Sequence, residues 1–161
     1  MNRVEEARRR AADLVSMHGV LTPPVDAERI ARLEKANVLY ASFNAEVSDQ
    51  VSAYAEPGRV IFVNRDLTPE QKNYAIAHEL AHFMLHPSYV ESDNYKLLLR
   101  GAFVGADQSE EEKEAEAFAA ELLVPRRMLE LYRIKGEPEA LASLFVAPVE
   151  VIRAQMAPPV S

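Results

Sequence analysis

The sequence predicts an α+β fold in which a small antiparallel sheet of three strands packs against surrounding helices. Three observations carry this expectation. Helical periodicity with start and stop signals marks both ends of the chain. Three short runs of β-branched and aromatic residues lie between residues 39 and 64. After them come an apolar helix and an acidic helix, each opened by a capping box.

Residues 3–18 form the first predicted helix, with Val4, Ala7, Ala11, Leu14 and Val15 on one face and Gly19 as its stop. His18 reads as a helix-end residue. Asp26 caps a short second helix reaching about Lys35. Leu39 to Phe43, Val51 to Ala55 and Arg59 to Asn64 read as strands, the last two joined through Glu56-Pro57-Gly58 as a hairpin. Thr68-Pro69-Glu70-Gln71 then starts a helix, with Thr68 as N-cap, Pro69 at the first helical position and Gln71 completing the box. Tyr74, Ile76, Ala77, Leu80, Ala81, Phe83, Met84 and Leu85 make this helix apolar on most sides, which predicts burial, and Pro87 ends it.

That buried helix carries His78-Glu79-Leu80-Ala81-His82. Residues four apart are neighbours on a helix surface, so His78 and His82 can share one metal ion. Glu79 is turned about 100° from His78 and can address a metal-bound water without being a ligand. Two imidazoles, an open position and a carboxylate base suit zinc, which makes hydroxide near neutral pH. Two surface histidines on a solvated helix would be the plain alternative. Burial argues against it, because buried charged groups must be paired or bound to metal. His86 continues the series, yet it lies about 12 Å along the axis from His78, too far for both to bind one ion. It reads as a helix-terminal residue favoured by the C-terminal dipole, or as part of the cleft rim.

Ser109 and Glu112 open the acidic helix Ser109-Glu110-Glu111-Glu112-Lys113-Glu114-Ala115-Glu116-Ala117-Phe118-Ala119-Ala120-Glu121-Leu122-Leu123. Its apolar direction is set by Ala115, Phe118, Ala119, Leu122 and Leu123. At about 100° per residue, Glu111 and Glu112 fall roughly 50° either side of that direction and Glu116 near 90°. Glu110, Glu114 and Glu121 point farther away, so Glu114 is expected to be dispensable for metal binding. Glu111, Glu112 and, less well, Glu116 are the geometric candidates for a third ligand.

The string His78-Glu79-Leu80-Ala81-His82-Phe83-Met84-Leu85-His86-Pro87, followed by Glu112 through Pro125, resembles the ImmA/IrrE metallopeptidases. These are gluzincin-like enzymes with a HExxH helix and a downstream helix reading E-x-x-A-N-x-F-A-x-x-L-L-M-P. Pro23-Pro24-Val25-Asp26-Ala27-Glu28-Arg29-Ile30-Ala31 and Val60-Ile61-Phe62-Val63-Asn64 are similar to the family's N-terminal half, so the likeness runs over residues 4–156. It implies a zincin-like fold, Zn2+ as cofactor and Glu112 as third ligand beside His78 and His82. Glu116 stands where the family has Asn, and Val124 where it has Met. In gluzincins the polar residue at the Asn place supports a metal-binding imidazole. A carboxylate could do so more strongly, or could join the coordination.

The resemblance further implies a zinc-dependent endopeptidase acting through Glu79. Family members commonly cleave a repressor-type, helix-turn-helix regulator in stress responses or mobile elements. Two other readings stand beside it: a metal-containing regulatory module with little turnover that binds a protein partner, and a DNA-binding regulator. His86, Tyr89 and Tyr95 are candidates for the rim of the cleft, the tyrosines as hydrogen-bond donors to the transition state.

The stretch from Ser88 to Asp107, with Tyr95, Leu97, Leu98, Leu99, Phe103 and Val104, is too apolar for a purely solvated loop. Past Pro125 a helix is expected through about Lys135, ending at Gly136. Glu139 to Arg153 then has helix-turn-helix spacing. Its second helix begins Pro148-Val149-Glu150-Val151 and offers only Arg153 as a basic residue, which favours structural packing over reading DNA. Residues 109–156 thus form a helical C-terminal portion, and residues 157–161 a loose tail.

A chain of 161 residues suits one metallopeptidase domain over residues 1–161. The sequence has no cysteine and hence neither disulfides nor a thiolate metal site. No stretch has the ~20 apolar residues of a membrane span, and the charged N-terminus lacks the apolar core of a signal peptide. These features predict a cytoplasmic protein. The net charge of −7 disfavours direct nucleic-acid binding and leaves a basic protein partner open.

Overall fold

The computed structural model describes residues 2–48, 51–93, 95, 109–133 and 136–157. Helix α1 (Arg3–Met17) is capped by Asn2, whose side chain accepts the Glu5 N–H, and Ala7, Ala11, Leu14 and Val15 form its buried face. Asp26 caps α2 (Ala27–Leu33) by accepting from the Arg29 N–H. The strands are β1 (Asn37–Ala41), β2 (Ala53–Glu56) and β3 (Val60–Asn64), with a single turn, α3 (Ala45–Ser48), between the first two.

The fold is the expected α+β arrangement, with one correction: the sheet is mixed rather than antiparallel. Its order is β1-β3-β2, with β2 antiparallel to β3 and β1 parallel to it, Asn37 opposite Val60 and Ala41 opposite Asn64. Side-chain alternation is the same in either direction, so the pattern of β1 carries no information about its sense. The path through α3 and β2 brings the chain back to run β3 alongside β1. The hairpin between β2 and β3 forms where predicted, with Gly58 and Arg59 both at positive φ, as a tight turn of this hand requires.

β1 begins and ends two residues before the predicted strand. Phe43 lies beyond it, in an aromatic series in which Tyr54 stacks on Phe62 with centroids 5.2 Å apart and Phe43 meets Tyr54 at 5.6 Å.

Helix α4 (Pro69–Leu85) packs against β2, β3 and α2. Both halves of its capping box form, since Thr68 accepts the Gln71 N–H and Gln71 accepts the Thr68 N–H. Inside, Ile76, Ala77, Leu80 and Ala81 meet the fully buried Ile61 and Val63 of the sheet in one apolar core. Asn73 is the polar joint of this layer. It accepts the Ala27 N–H and donates to the carbonyls of Val25 and Val146, tying three distant stretches together.

A short 3-10 turn (Tyr89–Glu91) follows. Of the apolar stretch expected to border the cleft, Leu97, Leu98, Leu99, Phe103 and Val104 lie outside the described residues, as do residues 158–161 of the tail.

Helix α5 (Glu110–Leu123) packs on both α1 and α4, and Ser109 caps it through the Glu112 N–H. Helices α6 (Arg126–Tyr132), α7 (Pro138–Phe145) and α8 (Val149–Met156) complete the chain. Leu141, Phe145, Val151 and Ile152 are buried, and the only basic residue of α8, Arg153, is paired with Glu139 at 2.7 Å. Among the described residues no helix is long and apolar enough to cross a membrane.

Candidate metal centre

The crossing of α4 and α5 is lined by small residues: Ala77, Ala81, Ala115 and Ala119 are fully buried. Alanines permit close approach of the two helices, which brings the His78 and His82 rings to the side chain of Glu112. Nε2 of His78 lies 2.9 Å from Oε1 of Glu112, and Nε2 of His82 lies 3.1 Å from Oε2. One ligand atom from each residue falls within 4.8 Å of the others.

His82 Nε2 and Glu112 Oε2 are buried 3.1 Å apart, close enough to pair as ions, yet neither makes a hydrogen bond of good geometry. Buried polar atoms are rarely left in this state. A cation bound by both would satisfy them at once, and two imidazoles with one carboxylate and an open position are a donor set that zinc favours. The residues fit the metal that the sequence predicts.

Burial opposes the charge on His78, but its hydrogen bond to Glu112 and the charges of the nearby carboxylates together outweigh burial and raise its pKa. Burial opposes the charge of Glu112, but its contacts with His78 and His82 outweigh burial and hold its carboxyl well below the usual range. Burial lowers the pKa of His82 and keeps its imidazole neutral, the form that binds metal.

Glu79 is buried beside the triad, and burial pushes its carboxyl up to about 7. The Tyr95 hydroxyl donates to Glu79 Oε2 at 2.8 Å and accepts the Ala55 N–H at 2.6 Å. It thus links Glu79 on α4 to the edge strand β2. A cleft of about 270 Å³ opens here, lined by Val51, Ser52, Ala53, His78, Glu79 and Tyr95 among others.

Other predicted residues take different positions. Tyr95 lines the cleft; His86 and Tyr89 are not among its lining residues. Both are buried beside His82, with ring centroids 5.4 Å and 5.0 Å from its imidazole. Glu111 is half-buried. Glu116 is exposed, on the side where its charge acts on Tyr74 and His78.

Glu114 and Glu121 are buried, at 5% and 7% exposure, although the projection of α5 turns both outward. Covering by α1 and α8 accounts for this. Glu114 meets His86 and Arg3, while Glu121 accepts from Gln155 and from the Arg126 N–H. The available signal was His86, one helical turn beyond His82 and needing an acidic partner if buried.

A histidine pair on one helix, a carboxylate from a later helix and a small sheet along the cleft define a zincin-like α+β domain. Residues 31–156 match the IrrE N-terminal-like domain of the peptidase M78 family. The chain belongs to that family. Among solved structures it is similar to a Mycobacterium tuberculosis transcriptional regulator, with 20% identity and a TM-score of 0.61. The likeness covers 92% of this chain but 45% of that protein, so the chain spans less than half of its relative's length. No match was found among curated proteins.

Proposed function

We propose that the chain is a zinc-dependent endopeptidase, with His78, His82 and Glu112 as ligands and Glu79 as general base. The observation that carries this reading is the buried convergence of His78, His82 and Glu112, whose ligand atoms lie within 4.8 Å of one another beside Glu79. When bound there, zinc would acidify a water and polarise the scissile carbonyl.

The chain's own residues supply the rest. Tyr95 holds one oxygen of Glu79, which leaves Oε1 to accept a proton from the attacking water and return it to the leaving amine. β2 is an edge strand beside the cleft, so an extended peptide can be bound through its backbone with little demand on sequence. The sequence resemblance to the ImmA/IrrE metallopeptidases implies a repressor-type regulatory protein as substrate, in a stress-response or mobile-element switch. The transcriptional regulator of similar fold favours a second reading, a metal-holding module that controls transcription by binding a partner without cleaving it.

Incubation with a candidate repressor, followed by mass spectrometry of fragments, separates the two. Glu79→Gln should keep zinc and partner binding while cleavage falls about 10²–10⁴-fold. Equal behaviour of wild type and variant on the authentic partner would leave only the binding module.

A further inference from the structure

The family pattern assigns support of the metal-binding histidines to the residue at position 116, but Glu116 is exposed on the His78 side. Behind His82 stands a different set of groups. His82 Nδ1 lies 3.3 Å from His86 Nδ1, His86 Nε2 lies 3.3 Å from Glu114 Oε1, and Arg3 Nε lies 3.1 Å from Glu114 Oε2. His82, His86 and Glu114 are all buried, with exposures of 0%, 9% and 5%. A carboxylate and an imidazole taken out of water at this depth need partners, and here they have chiefly each other.

We propose that His86 and Glu114 are positioning residues that fix the tautomer and orientation of His82, with Arg3 of α1 anchoring the far end. The inference rests on the proposed metal site. The protons can be placed in one consistent way. Nε2 of His82 faces Glu112 and must keep its lone pair free to bind a cation, so the ring proton sits on Nδ1. That proton is donated to Nδ1 of His86, which must then carry its own proton on Nε2. Nε2–H in turn donates to Glu114, whose charge is balanced by Arg3. Every donor has an acceptor only if all three groups are present. Carboxylates behind a ligating imidazole raise its basicity and set its ring plane, and their loss lowers metal affinity by about 10–100-fold. Here a second imidazole extends the reach of the carboxylate to His82. It also makes α1, which contributes nothing to the cleft, part of the support of the metal centre.

Zinc affinity measured by chelator competition tests this, alongside thermal melting of the metal-free proteins. His86→Phe keeps a ring in place but removes the acceptor, and should weaken zinc binding about 10–100-fold. Glu114→Gln keeps the shape, removes the charge and should weaken zinc in the same direction. The double variant should lose no more than His86→Phe alone, because both act through one chain. In zinc-loaded wild type, nitrogen NMR should show the His82 proton on Nδ1. Wild-type affinity in folded His86→Phe, or additive losses in the double variant, would overturn the chain while leaving the metal site intact. Absence of zinc binding in the wild type would overturn both.

Discussion

Glu79→Gln in metal-free protein isolates the cost of placing a carboxylate at the base position. Glu79 is 6% exposed, and burial moves its carboxyl from 4.5 to about 7. The folded state therefore keeps this proton across a window in which the unfolded chain has already released it. Stability contributed by the neutral acid is present in full below about pH 4.5 and is lost as pH rises to about 7. At about 1.36 kcal/mol per pH unit, the whole loss is about 3 kcal/mol. Glutamine has no proton to release, and its amide oxygen still accepts from Tyr95. The variant should match wild type near pH 4, gain on it through the window, and exceed it by about 3 kcal/mol at pH 8. Urea denaturation in EDTA at half-unit pH steps measures this directly. The histidines titrate in both proteins and largely cancel in the difference. A stability difference that does not change between pH 4 and pH 8 would refute the reasoning, since a solvated Glu79 would then titrate alike in both states.

Tyr95→Phe removes the hydroxyl that joins Ala55 to Glu79, and should lower stability of the metal-free protein by about 1–3 kcal/mol in urea denaturation, the usual cost of stranding buried polar groups. An unchanged midpoint would mean that water replaces the hydroxyl. Glu116→Asn should leave zinc content by elemental analysis the same as in wild type, because Glu116 is exposed and outside the cluster of ligand atoms. Loss of zinc from that variant would make Glu116 a ligand.

What the sequence disclosed about the fold and the site was what is decided locally. The capping box at Thr68, the one-turn spacing of His78 and His82 and the hairpin at Gly58 depend on neighbours within a few residues. The projection of α5 narrowed a third ligand to Glu111, Glu112 or Glu116, but only a family likeness chose among them. It failed for Glu114 and Glu121 because one apolar direction describes a helix buried on one side, whereas α5 has α4 on one flank and α1 on another. The direction of β1 was equally hidden. Alternation says which residues face inward and nothing about the sense of the neighbouring strand.

Asn73 joins residues 46, 48 and 73 positions away in sequence. Each of those bonds closes a long loop, and all three can exist together only after the first, middle and last thirds of the chain have assembled. If the joint closes only after the transition state, Asn73→Ala should speed unfolding in a chevron experiment and leave the folding rate nearly unchanged; an equal loss in the folding rate would place the joint in the nucleus.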